Sequence, residues 1–147
     1  MKYLFKFNEQ RSKEEEIFKV ISDRYTNVYI TSHQYNNLRE NIIPIDNKYM
    51  NYLLKMKLIA GSKVEIGNNN SIEIRDNYSK IDNSDDKIVI NQIYDNYFIV
   101  KDIPRNGGNI DLYKCDNLIG LLIILNKLYR VYKSDIISNI DILKKIE

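Results

Sequence analysis

The chain has 147 residues, 44% of them hydrophobic and 29% charged, with a net charge of +2. These fractions exclude a disordered chain, and the length suits one domain large enough to bury a core. One His (His33), one Cys (Cys115) and no Trp exclude an internal disulfide. They also leave few side chains for proton shuttling, covalent attack or metal capture near neutral pH. The surplus of Ile, Asn, Lys, Tyr and Asp over Ala, Gly, Pro and Trp follows A/T-rich codons, the bias of a virus, phage or AT-rich microbe. That bias accounts for the number of the 12 Tyr but not for their clustering at turns.

Charge varies along the chain. Residues 1–60 carry ten Lys/Arg against seven Asp/Glu, residues 61–116 seven against ten, and residues 117–147 five against three. No basic run is long enough to neutralise a phosphate backbone. The apolar start is too short for a signal peptide, and the longest apolar run, Leu118 to Leu125, falls far below the roughly 20 residues that span a bilayer. The expectation is a soluble, cytoplasmic protein that neither enters nor spans a membrane.

In chain order, residues 2–7 are aromatic-rich and read as a first strand. Ser12 and Glu15 fit a capping box, and Glu14, Glu15 and Glu16 suit the positive end of a helix carrying Ile17, Val20, Ile21 and Tyr25 inward. Residues 27–31 read as a strand, so the opening predicts a β-α-β element. A short helix follows from Ser32 to Arg39, and Asp46 caps another that ends at Gly61.

From residue 62 the period changes to two. Strands are predicted at 63–66, 71–75, 87–93, 97–100 and 109–113, an antiparallel meander or small barrel of about five strands. Asp116 caps an apolar helix over 118–128, and Ser134 or Asp135 starts a final helix. The fold class is α+β, with two C-terminal helices packed on the sheet. It forms one globular domain, 1–147, that is mixed α/β over 1–60, β-rich over 61–115 and helical over 116–147.

Missing catalytic equipment, mixed charge and Tyr-bearing turns point to a non-enzymatic factor that binds another protein, a modulator or inhibitor. Tyr78, Tyr94, Tyr97, Tyr113 and Arg105 are its candidate contacts, because Tyr gives large contact area at low entropy cost. No catalytic residue, cofactor or metal ligand is assigned, and His33 reads as a surface or capping residue.

The segment Leu53 to Ile66, with the following Ile72/Ile74 strand, resembles the helix-to-strand entry of small SH3-like barrels of the ferrous-transport accessory type. It is also similar to a winged-helix module, with 47–58 as recognition helix and 63–75 as wing. That resemblance implies a DNA- or RNA-binding regulator as the alternative, with Arg39, Lys48, Lys55, Lys57 and Lys63 on phosphate. A third reading is a metal-dependent nuclease built on Asp111 with Asp102 or Glu16. Against it, Asp111 and Lys114 are three apart and point to opposite faces of a strand. The acidic balance of residues 61–116 predicts a strand region that repels phosphate.

Overall fold

Period-2 alternation from residue 62 onward folds as a meander. In the computed structural model, β3 (Ser62–Ile66), β4 (Ile72–Asp76), β5 (Lys87–Ile93), β6 (Tyr97–Ile103) and β7 (Asp111–Cys115) pair antiparallel, each with the next. The structure describes residues 2–25, 27–76, 86–104 and 108–147, and of residues 2–12 and Asn27 the backbone alone. Two short strands from the first third join the sheet. β1 (Asn27–Tyr29) lies beside β7, and β2 (Ile42–Ile43) pairs with Ile93 and Gln92 of β5, beyond the end of β4. The order β1-β7-β6-β5-β4-β3 is open, with β1 and β3 at its ends, so the sheet is a meander and not a closed barrel.

Register sorts the strands into two faces. Ile72, Ile74, Ile88, Ile90, Phe98, Val100, Tyr113 and Cys115 share an inner face that packs against the helices in one core. Val89, Asn91, Ile93, Ile99 and Leu112 fall on the opposite, outer face and are buried as well. Buried Gln92 ties this sheet to the helical layer. Its Oε1 accepts from the Asp46 N–H (2.8 Å), and its Nε2 donates to Asp46 Oδ2 (3.1 Å) and to the carbonyls of Tyr94 and Asp95.

Six helices accompany the sheet among the described residues: α1 (Lys2–Arg24), α2 (Ser32–Leu38), α3 (Asn47–Lys55), α4 (Leu118–Lys127), α5 (Lys133–Ser138) and α6 (Ile140–Ile146). α4 is apolar on all sides, and Leu118 to Leu125 are all buried, each large side chain stabilising by about 1.5–3 kcal/mol. Its start is capped by Asn117, whose Oδ1 accepts from the Gly120 N–H (2.7 Å), one residue later than the expected Asp116. The side chain of Glu147 accepts from the N–H groups of Leu118 and Ile119, placing negative charge at the positive end of this helix.

The α+β class, the meander and the C-terminal helices packed on the sheet are as expected. The opening is not. Residues 2–7 belong to α1, so the chain starts α-β instead of β-α-β, and Ser12 lies in the middle of that helix and not at its start. Extending an amphipathic helix adds one hydrogen bond per residue, whereas an isolated N-terminal strand has no ladder to join. α2 is capped by Thr31 and Gln34, not Ser32. Asp46 stands at the start of α3, but its carboxylate bonds Gln92 instead of the helix. The expected final helix breaks at Asn139, whose Nδ2 donates to the Asp135 carbonyl (2.7 Å), giving α5 and α6. No helix among the described residues is long and apolar enough to cross a membrane.

Candidate protein-binding site

β1 is three residues long and ends the sheet. The Ile30 N–H donates to the Leu112 carbonyl at 3.0 Å. Alternation along an antiparallel ladder then turns the backbone of Val28 toward β7 and the N–H and C=O of Tyr29 away from it. Among the described residues no strand pairs with that outer edge. Val28 is 54% and Tyr29 71% exposed, unusual for large side chains on a strand.

α2 lies beside this edge, fixed by its capping box. The Thr31 N–H donates to Gln34 Oε1 (2.8 Å), and the Gln34 N–H donates to Thr31 Oγ1 (3.1 Å). Between β1 and α2 runs an open groove of about 410 Å³, lined by Val28, Ile30, Gln34, Asn37, Leu38 and Lys114. The apolar side chains give it a floor, and the two amides and the ammonium give it polar recognition groups.

Two of the predicted tyrosines connect to this groove through Lys114, Tyr97 directly and Tyr94 by way of Tyr97. The Lys114 Nζ lies 4.9 Å from the Tyr97 ring, and Tyr97 meets Tyr94 edge-on with centroids 6.0 Å apart. Tyr94 sits in the β5–β6 turn at φ 52° and is 45% exposed. A left-handed Tyr is strained by about 1–2 kcal/mol, and the bonds from Gln92 to the carbonyls of Tyr94 and Asp95 hold the turn in place.

Tyr113 is a correction. It lies in mid-strand, 5% exposed, beneath Tyr29, with ring centroids 4.6 Å apart, and its hydroxyl donates to the Tyr29 hydroxyl at 3.2 Å. Burial and the Tyr29 hydroxyl push its phenol well above the usual range. Tyr29, not Tyr113, presents the ring to solvent. Tyr78 and Arg105 lie outside the described residues.

The cations of the winged-helix reading are not brought together. Lys48 and Lys55 are on α3, which packs on the inner face, and Lys57 follows that helix. Lys63 alternates with core-packed Val64 and so projects from the outer face, and Arg39 follows α2. The sheet separates α3 from Lys63.

The carboxylates of the nuclease reading do meet. Asp102 and Asp111 are directly opposite on β6 and β7, whereas Glu16 is an exposed residue of α1. Arg130, absent from the sequence reading, sits at this end of the inner face. Its Nη1 donates to Asp76 Oδ1 (2.8 Å) and Ser62 Oγ (3.1 Å), and its Nη2 lies 3.7 Å from Asp86 Oδ2. Burial, Asp86 and Asp111 raise the Asp102 carboxyl, and Arg130 opposes them. Among the described residues no group of three His, Cys, Asp or Glu has the geometry to hold a metal ion. Burial likewise pushes the Cys115 thiol up, which favours its protonated form. His33 is exposed on α2.

Comparison of the chain with protein-family models, curated proteins and solved structures finds no match.

Proposed function

We propose that this is a non-enzymatic protein-binding factor, acting inside the cell as a modulator or inhibitor of another protein. It captures an extended segment of that protein at the outer edge of β1. The observation that carries the reading is the open edge at exposed Val28 and Tyr29, set beside a groove with an apolar floor. A docked segment exchanges main-chain hydrogen bonds with Tyr29, and its alternate side chains enter the groove between β1 and α2. This is strand addition, where backbone bonds supply affinity and pockets supply specificity. Lys114 supplies the cation of the groove, and Tyr97 and Tyr94 next to it extend the contact with aromatic area.

The test is selection from a random peptide-display library against the full chain, followed by titration of an enriched peptide. Tyr29→Pro removes the outward N–H while leaving the β7-facing bonds of Val28 and Ile30 in place, and Pro is tolerated at such an edge position. We expect it to weaken the peptide at least tenfold, Val28→Asp to do the same, and Tyr29→Phe to leave binding within twofold. Unchanged thermal melting of the variants establishes that they fold. Failure to enrich any peptide, or equal binding by Tyr29→Pro and the native chain, defeats the reading.

A further inference from the structure

Strands β3 to β7 carry ten charged residues that sum to zero along the sequence, but the register divides them by face. Asp76, Asp102 and Asp111 lie on the inner face. Lys63, Glu65, Glu73, Arg75, Lys87, Lys101 and Lys114 lie on the outer face. The balance is −3 inside and +3 outside. The linear count, which predicted repulsion of phosphate from the whole strand region, therefore fails for the outer face.

The five outer cations fall one to each strand, and they are in line. Lys63 is directly opposite Arg75, and Arg75 directly opposite Lys87. Lys101 is opposite Val89, two residues along β5 from Lys87. Lys114 is two residues along β7 from Leu112, the partner of Lys101. With strands about 4.8 Å apart, four strand steps carry this diagonal track roughly 19 Å across the sheet.

Two of the cations are compensated. Arg75 pairs with Glu65 (2.7 Å) and Glu73 (2.9 Å), and Lys87 lies 3.6 Å from Glu73. Lys63, Lys101 and Lys114 have no carboxylate partner among the described residues. Lys101 instead donates to the Tyr35 hydroxyl (3.1 Å), with its Nζ 5.2 Å from that ring, and Lys114 lies over Tyr97. At the β6–β7 end each cation therefore has an aromatic ring beside it.

We infer that the outer face is a site for single-stranded nucleic acid, with phosphates following the track from Lys114 to Lys63 and bases stacking on Tyr97 and Tyr35. Two features favour a polynucleotide over an acidic peptide. The track crosses the strands, whereas a peptide adding to β1 runs along them, and ring-beside-cation pairs match the base-and-phosphate alternation of a single strand. A span of this length accommodates about four nucleotides, the lower end of known single-strand site sizes. The inference shares Lys114 and Tyr97 with the contact proposed at β1, but it does not rest on that reading.

Fluorescence anisotropy with labelled dT12 and the full chain tests it. Three uncompensated cations release about three counterions, so log affinity falls against log salt with a slope of about −2, a roughly 20-fold loss between 50 and 200 mM salt. Lys101→Glu with Lys114→Glu lowers affinity at least tenfold. Lys55→Glu with Lys57→Glu, the cations of the winged-helix reading, leaves it within twofold. Tyr97→Leu lowers it at least fivefold. Absence of binding at 100 μM protein in 20 mM salt overturns the inference, as does equal loss from the two charge-reversal pairs. Displacement by polyglutamate as effective per charge as by dT12 also overturns it and assigns the face to acidic protein segments.

Discussion

The two faces of the sheet are both dry at their centres but are covered in different ways. On the inner face Ile72, Ile74, Ile88 and Ile90 meet α3 and α4 in one apolar core, and charge is confined to one end, where Arg130 holds Asp76 and Asp86. On the outer face Val89, Ile93, Ile99 and Leu112 are buried apart from that core, and charged rows surround them. The helical layer on the inner side holds the apolar core, whereas the outer side, where α2 reaches Lys101 through Tyr35, presents cations, tyrosines and an open strand edge.

Substitutions that sharpen this contrast begin with the two isoleucines. Ile90 (inner) and Ile99 (outer) are both fully buried. Ile90→Ala leaves a cavity that closely packed helices cannot close and lowers stability by about 4 kcal/mol. Ile99→Ala lies outside the helical core and loses about 2 kcal/mol by partial collapse. Urea denaturation of both variants reads the difference, and equal losses would mean that the two coverings are equally rigid.

Arg130→Met removes the guanidinium that meets Asp76 Oδ1 at 2.8 Å and Asp86 Oδ2 at 3.7 Å. With both carboxylates about one third exposed, the expected loss is about 1 kcal/mol by urea denaturation, and it shrinks in 1 M salt, which screens ion pairs and not packing. A loss independent of salt would assign Arg130 a packing role only.

Glu73→Gln on the outer face costs about 1 kcal/mol at pH 7. Burial alone would raise the Glu73 carboxyl, but Arg75 and Lys87 outweigh it and hold it below the usual range. Its contribution is therefore full above the ordinary glutamate pKa and disappears as pH falls through the lowered folded value. The variant and the native chain should converge in stability once the pH lies below that lowered folded value.

Asp102 has the opposite sign. Its raised carboxyl favours the neutral form in the folded chain, so its contribution is full below the ordinary aspartate value and declines as pH rises toward the folded value. Asp102→Asn should raise the melting temperature slightly at pH 7 and leave it unchanged at pH 3. A drop at pH 7 would show that the carboxylate is needed in its charged form.

Legibility in the sequence followed the range of the interaction. Residues 87–93 and 97–100, with the Asp95-Asn96 turn, and the all-apolar helix from Leu118 were readable because alternation and turn chemistry act within a few residues, and only the end of the second strand, at Ile103, was not. The aromatic opening was not, because nothing local told a strand without a partner from the first turns of α1. At the candidate site, the place of Tyr94 and Tyr97 at a turn was legible, whereas the exposure of Val28 and Tyr29 and the position of Lys114 beside them were not. No local signal marks a strand that will end a sheet. Gln92 and Arg130 were missed for a related reason, since their partners lie 46 and 54 residues away.

By itself the amino-acid sequence determined the α+β class, the five-strand meander, the buried α4 and the scarcity of imidazole and thiol chemistry. These depend on periodicity and composition, which the chain carries locally. Tertiary structure alone decided which strand ends the sheet, which charges share a face, and that Asp102 meets Asp111. Each depends on cross-strand register, and a shift of one residue would move every side chain of a strand to the opposite face.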